Sequence, residues 1–222
     1  MRFVQASSYY RGGNRPRWVV IHDLEYPEGA GAAAWAANYF ASGVPKSAHY
    51  TVDPSEIVQS VLESDGAWHT PGFINGIEVN RQSIGIEHAG YASQTRSQWL
   101  DRDSIVILDN SARLAADIAR RNGIPIRWVS VDEIRAGMPG FAGHNDLTIA
   151  TGVGDHVDPG PAFPRDWYLD RVRFYAAAGG ASSLPQWLGP AVAVLTLGGV
   201  AWWLAAGAPM PSIQRLSRRT VG

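Results

Sequence analysis

Two histidines and an aspartate have the side-chain types of an open metal site. His22 directly follows an apolar, β-branched run at 17–21, and a side chain at the end of a buried strand can enter a cleft. His144 lies in a loop-like stretch, and Asp158 is followed by proline and glycine, which restrict the backbone around its carboxylate. Two imidazoles and a carboxylate can hold zinc and leave a fourth position to water. Because the sequence has no compact motif such as His-Glu-x-x-His, spacing alone leaves surface histidines and a simple turn as alternatives.

The composition excludes several other kinds of site. The 222 residues contain no cysteine, which excludes disulfides, thiol catalysis, cysteine-type zinc knuckles and iron–sulfur clusters. Any metal must therefore be held by histidine or carboxylate side chains. Nineteen basic residues balance twenty acidic ones to give a net charge of -1, so we expect no nucleic-acid partner. At 45% hydrophobic and 18% charged residues, the chain can bury a sizeable core.

Strand and helix patterns alternate along residues 1–178 and predict a single α/β domain there. The alternation favours a mixed central β-sheet flanked by helices. Since successive side chains of a strand point to opposite faces, His88 should point away from Glu87 and be structural. The predicted strands lie at 17–21, 47–52, 56–62 and 83–87, and the predicted helical segments at 30–42, 99–121 and 131–136.

The C-terminal part of the chain has a different composition. Residues 179–186 are mostly small and predict a flexible linker. Residues 187–207 are uncharged over twenty-one positions, with Trp187 at one end and an arginine-rich tail, 208–222, after the other. A helix of that length spans about 30 Å, so we predict a transmembrane helix; a buried C-terminal helix is the alternative. Arginines near both ends leave its topology open, and the N-terminus lacks the apolar segment of a signal peptide.

Six short segments occur in the order seen in one enzyme family. Over about residues 1–175 the chain resembles the zinc-dependent N-acetylmuramoyl-L-alanine amidases of the amidase-2 and peptidoglycan recognition protein superfamily. The segment around Asp158 is most similar to endolysins of actinobacterial phages. The six segments are VVIHDLE at 19–25, SAHYTVD at 47–53, AWHT at 67–70, SIGIEHAG at 83–90, AGHNDL at 142–147 and HVDPGPAFP at 156–164.

The resemblance implies a role for five residues of the candidate site. His22, His144 and Asp158 match the zinc ligands of the family. Glu87 matches a catalytic glutamate at the end of an inner strand. His156 falls at a basic position, commonly lysine, two residues before the acidic ligand; a neutral imidazole can donate one hydrogen bond there but carries no fixed charge.

The resemblance also implies a substrate-contacting set. His69 and Trp68 match cleft residues that contact substrate, and His49, assigned to the same set, matches a residue that supports the cleft from behind. For both histidines a position in the core or at the rim is the alternative. Another branch of the family has a tyrosine where this chain has Ala48, so Glu87 carries more of the predicted chemistry.

The implied activity is hydrolysis of the amide bond between N-acetylmuramic acid and L-alanine in peptidoglycan. Zinc would activate water, Glu87 would move its proton to the departing amine, and His156 would stabilise the oxyanion. We therefore expect a monomeric phage endolysin that holds zinc, is membrane-associated through its C-terminal helix and acts on the cell wall. The alternatives are a non-catalytic peptidoglycan-binding module and a membrane-permeabilising protein; all three ligands being present favours the enzyme.

Overall fold

A computed structural model of the chain describes residues 1–180, which form short strands, six α-helices and one 3-10 turn (Val79–Arg81). The strands are β1 (Arg2–Phe3), β2 (Tyr9–Tyr10), β3 (Trp18–Asp23), β4 (Tyr50–Val52), β5 (Ile57–Gln59), β6 (Gly66–Ala67), β7 (Phe73–Ile74), β8 (Ile77–Glu78), β9 (Ser83–His88) and β10 (Gly140–Gly143). The helices are α1 (Ala32–Ala41), α2 (Arg96–Trp99), α3 (Arg102–Asn122), α4 (Val131–Arg135), α5 (His144–Thr151) and α6 (Arg165–Gly180).

Six of the strands form one mixed sheet in the order β1-β5-β4-β9-β3-β10. Only the β4–β5 pair within it is antiparallel; the other neighbours run parallel. Helices α3 and α6 pack against each other and α3 contacts three strands, whereas α1 contacts β4 and β5. The prediction of a mixed α/β domain with a central sheet flanked by helices is therefore confirmed.

The apolar core holds the central strands on the helices. Val19 and Ile21 of β3 and Ile84 and Ile86 of β9 are fully buried in a cluster with the apolar sides of α3 and α6. Val20 points to the other face and packs with residues of α4 and α5. Burying a branched side chain stabilises a fold by about 1.5–3 kcal/mol, so this core fixes the register of the strands beneath the site.

The register of β3 and β9 brings two predicted site residues together. His22 pairs with Glu87 in this parallel ladder, so both side chains point to the same face of the sheet. His88 points to the opposite face, where its Nδ1 donates to the His22 carbonyl oxygen (2.7 Å) and its Nε2 accepts from the Ser111 hydroxyl (2.6 Å). The prediction that His88 is structural is confirmed by these contacts.

Three local predictions are corrected. His22 does not follow a strand, because β3 continues to Asp23. The helix expected at 99–121 is interrupted between α2 and α3. The Asp101 side chain accepts from the amides of Asp103 and Ser104, and this cap begins α3. His144 does not lie in a loop but is the first residue of α5, whose start is fixed by the Asp146 carboxylate accepting from the Gly143 amide (2.9 Å).

A buried carboxylate positions helix α1 beside the sheet. In the turn between β4 and β5, Asp53 Oδ2 accepts from the amides of Gly31 and Ala33, while its Oδ1 accepts from the amides of Ser55 and Glu56. Burial acts to raise the pKa of Asp53, but a hydrogen bond from the Ser55 hydroxyl (2.7 Å) and those from the backbone amides hold it below its usual value. Since the N-terminus of a helix favours negative charge, one carboxylate stabilises both the turn and the helix start.

The predicted C-terminal features lie almost wholly outside the described residues. Helix α6 continues to Gly180, so the first two positions of the linker expected at 179–186 are helical. The transmembrane helix predicted at 187–207 and the basic tail at 208–222 belong to the part of the chain that is not described. Within residues 1–180, no helix has both the length and the apolar character needed to cross a membrane.

Candidate active site

The three predicted metal ligands converge at one edge of the sheet. His22 comes from β3 and His144 follows β10, and these neighbouring parallel strands end at the same edge. Asp158, from the loop between α5 and α6, lies between them: its Oδ2 is 2.9 Å from His22 Nδ1 and its Oδ1 is 3.2 Å from His144 Nδ1. The ligand atoms of all three residues lie within 4.8 Å of one another, and all three residues are buried. This arrangement can hold a metal ion.

The protonation states of the ligands suit a cation. Burial lowers the pKa of His22 to about 4, so its imidazole is neutral at neutral pH. Burial acts to raise the pKa of Asp158, but its contacts with the imidazoles of His144 and His22 outweigh burial and hold it below its usual value. A neutral imidazole and an ionised carboxylate are the forms that bind a metal dication. The residues present therefore fit a zinc ion.

Glu87 is placed on the same face as the ligands and is poised to exchange protons. Burial, followed by the charges of Asp158 and Asp23, raises its pKa well above the usual value for a glutamate. No hydrogen bond from another residue in 1–180 reaches its carboxylate, which lines the cavity at the ligands. A carboxyl group with a raised pKa binds a proton more readily than an ordinary carboxylate, which suits a group that accepts and returns a proton.

His156 lies at the rim of the ligand cluster. Its side chain is 50% exposed, and its Nδ1 lies 3.5 Å from Asp158 Oδ1. Its ring stacks on that of His144, with centroids 3.9 Å apart. Burial and then the neighbouring His144 lower the pKa of His156, so it is a neutral hydrogen-bonding group at neutral pH.

The three residues predicted to contact substrate occupy different positions. Trp68 lines the cavity and packs on Tyr10 with ring centroids 5.3 Å apart. His69 also lines the cavity but is largely buried, and its Nδ1 lies 2.9 Å from His22 Nε2. His49 is fully buried, does not line the cavity, and accepts at Nδ1 from the Gly85 amide (3.1 Å). The structure therefore does not bring His49 to the substrate side of the site, because it lies behind His69.

The ligands open into a cavity of about 960 Å³. One wall is aromatic: the rings of Tyr26 and Trp35 stack with centroids 4.1 Å apart, and Tyr39 lies parallel to Trp35 at 5.7 Å. Trp35 and Tyr39 line the cavity and are 44% and 40% exposed, so a substrate can contact them. The sequence signal for this wall is the aromatic spacing on α1, which alone does not distinguish a cleft wall from a core face.

Sequence reasoning missed two titratable groups in the cavity. Asp23 lines it, and burial followed by the charge of Asp158 raises the pKa of its carboxyl group to about 8. Lys46 also lines it, and its charge acts to lower the pKa of both Glu87 and His156. The only signal for Lys46 is that it is the single lysine of the sequence, and nothing local predicts that it lines the cavity.

Comparisons with known proteins identify a family and a shared fold. Residues 12–161 match the family model described as N-acetylmuramoyl-L-alanine amidase. The hydrolase AmiA of Staphylococcus aureus, solved with its ligand, is 18% identical, with 81% of this chain and 84% of that chain covered and a TM-score of 0.57. A selenomethionine derivative of AmpD is 23% identical (78% and 93% covered, TM-score 0.53), and a mutant endolysin from Bacillus subtilis is 18% identical (77% and 97% covered, TM-score 0.54). Identities this low show a shared fold, and a search of curated proteins found no match.

Proposed function

Because the chain belongs to the N-acetylmuramoyl-L-alanine amidase family, we propose that it is a zinc-dependent enzyme that cleaves the bond between N-acetylmuramic acid and L-alanine in peptidoglycan. One observation carries the zinc proposal: the ligand atoms of His22, His144 and Asp158 lie within 4.8 Å of one another at the base of an open cavity. Two imidazoles and one carboxylate are a common zinc donor set that leaves a position for water.

Each group of the site has a task in this reaction. Bound zinc supplies a Lewis acid that lowers the pKa of water and polarises the scissile carbonyl group. Glu87 accepts the proton of the attacking water and passes it to the departing amine of L-alanine, and its raised pKa suits both steps. His156, at the cavity rim, donates a hydrogen bond to the carbonyl oxygen as negative charge develops there.

The bond cleaved is tested by product analysis. The full chain, incubated with purified peptidoglycan, should release new α-amino groups on L-alanine without producing new reducing sugar ends. Labelling the amino groups and identifying the terminal residue measures the first, and a reducing-sugar assay measures the second. New reducing ends would instead indicate a glycosidase. Tight binding without products would support the alternative of a peptidoglycan-binding module.

We also propose that the enzyme acts as an endolysin of an actinobacterial phage, as a monomer at the cell wall. The similarity of the segment around Asp158 to such endolysins supports this role, as does the fold shared with the endolysin from Bacillus subtilis. The endolysin role is tested by expressing the full chain in a host strain and measuring culture turbidity, which should fall as the cells lyse. Lysis should require the same residues as peptidoglycan hydrolysis.

The membrane proposal depends on residues 187–207, which are uncharged and long enough to span a bilayer. The full chain is expected to sediment with membranes and to resist extraction by high salt or alkaline carbonate. Arginine near the centre of a spanning helix costs about 2.5–3.5 kcal/mol, so Leu197→Arg should make the chain largely soluble while it still cleaves isolated peptidoglycan.

The alternative to a membrane helix gives the opposite result. If the unmodified chain is soluble and monomeric without detergent, residues 187–207 pack on the amidase domain. Leu197→Arg should then lower the melting temperature, and truncation after Gly180 should impair folding. Sedimentation and thermal unfolding of the three chains distinguish the two outcomes.

A further inference from the structure

The two ring nitrogens of His22 face different groups. Its Nδ1 lies 2.9 Å from Asp158 Oδ2, and its Nε2 lies 2.9 Å from Nδ1 of His69. A neutral imidazole carries hydrogen on one nitrogen only, so Nδ1 can bind a metal only if the hydrogen is on Nε2. Metal-ligating histidines commonly donate this second N–H to an acceptor that fixes the ring, and here the neighbour is another histidine.

The direction of the hydrogen bonds at His69 follows from a backbone carbonyl group. The Ser83 hydroxyl lies 2.7 Å from the Val79 carbonyl oxygen, which can only accept, so the single hydroxyl hydrogen is used there. His69 Nε2 lies 3.0 Å from the same Ser83 oxygen and must donate to it. The hydrogen of a neutral His69 is therefore on Nε2, which leaves Nδ1 as an acceptor.

The remaining contacts of His69 agree with this tautomer. Its Nδ1 faces His22 Nε2 and, at 3.1 Å, the Thr70 hydroxyl, which can donate to it. Since Nδ1 accepts, His22 Nε2 carries hydrogen and His22 Nδ1 presents its lone pair beside Asp158. In this tautomer His22 Nδ1 and Asp158 Oδ2, which lie 2.9 Å apart, can both bind a cation, and this is the position of the proposed metal.

The absence of a side chain at Gly85 leaves room for the His69 ring against the sheet. A Cβ atom at Gly85 would lie 2.7 Å from His69 Nδ1 and 2.8 Å from its Cγ, so the ring can occupy this position only above a glycine. Gly85 and Ser83 both belong to β9, the parallel neighbour of the strand that carries His22. One strand therefore supplies both the space for the ring and its hydrogen-bond acceptor.

We infer that His69 is a positioning residue, which fixes His22 in the tautomer with Nδ1 free for the metal, and that this role replaces the substrate contact expected from the sequence. The inference rests on the metal site of the proposed function. His144 has no equivalent support, because its Nε2 is buried without a hydrogen-bond partner among residues 1–180. The site thus contains one histidine ligand, His22, whose tautomer is fixed by a series of hydrogen bonds, and one, His144, whose tautomer is not fixed in this way.

Zinc affinity of the full chain, measured by competition with a chelator, tests this role. His69→Leu should weaken zinc binding about 10–100-fold, the usual cost of losing the group that orients a ligand. His69→Asn should restore most of the affinity, because its amide oxygen can accept where Nδ1 did. His49→Leu is the matched control: it removes another fully buried histidine, whose ring centroid is 5.7 Å from that of His69, and should leave the zinc affinity unchanged.

Nitrogen-15 NMR of the imidazole rings provides a readout that does not depend on activity. His69 should carry hydrogen on Nε2 only, and zinc-loaded His22 should do the same. Hydrogen on Nδ1 of His69, unchanged zinc affinity in His69→Leu, or equal losses in the leucine and asparagine variants would each overturn the inference. Failure of the unmodified chain to bind zinc would overturn the proposed function as well, so the two failures are distinguishable.

Discussion

Replacing any of His22, His144 or Asp158 with alanine is expected to remove zinc and peptidoglycan hydrolysis together. Each residue supplies one atom to a set of three that lie within 4.8 Å, and all three are buried, so no exposed neighbour can take the place of a lost ligand without rearrangement. Loss of one ligand leaves two, too few for the three-ligand zinc site that activates water. The zinc content, measured by elemental analysis after dialysis, should fall from about one zinc per chain to near zero.

A neighbouring carboxylate provides the control for this prediction. Asp155 lies on the same loop as Asp158 but is exposed and outside the ligand set, so Asp155→Ala should retain zinc and activity. Removal of zinc from the unmodified chain by a chelator should abolish hydrolysis, and zinc added back should restore it. Full hydrolysis by any of the three ligand variants in metal-depleted buffer would refute the ligand assignment.

Glu87→Gln is expected to separate metal binding from proton transfer. The amide preserves the size of the side chain but cannot accept the proton of the attacking water. Zinc content should stay near that of the unmodified chain while kcat falls about 10²–10⁴-fold, the usual contribution of a general base. Glu78→Gln makes the same change at another glutamate that lines the cavity, and its amide oxygen can still accept from Tyr10. This control should keep normal turnover.

The pH dependence of the reaction provides a second test of Glu87. A base must be deprotonated, and burial raises the pKa of this carboxyl group well above its usual value. Activity should therefore be lost as pH falls through the pKa of Glu87, and the acidic limb of the pH profile should disappear in Glu87→Gln. If Glu87→Gln keeps normal turnover or the same acidic limb, another group is the base.

The residue patterns identified His22, His144 and Asp158 as a candidate ligand set, which the structure brings within 4.8 Å, and predicted the strands that carry His22 and Glu87. The apolar runs at 17–21 and 83–87 are strands because β-branched residues suit buried strands, and Asn122-Gly123 ends α3 because the glycine adopts the left-handed conformation there. The alternation of side chains along a strand was enough to predict that His88 and Glu87 point to opposite faces of the sheet. These features depend on residues close in sequence, so local chemistry is sufficient to predict them.

The tertiary structure alone decided what surrounds each site residue. The sequence offers six histidines, but only the pairing of β9 beside β3, with the His69 ring placed against Gly85, shows that His69 contacts His22 and that His49 lies behind His69. Likewise, Lys46 lines the cavity from a segment with no strand or helix pattern of its own. The pairing of His22 with Glu87 depends on the register between strands about sixty residues apart. Such contacts are set by the packing of the whole core, because burial of many distant apolar side chains fixes the register, and no local segment contains that information.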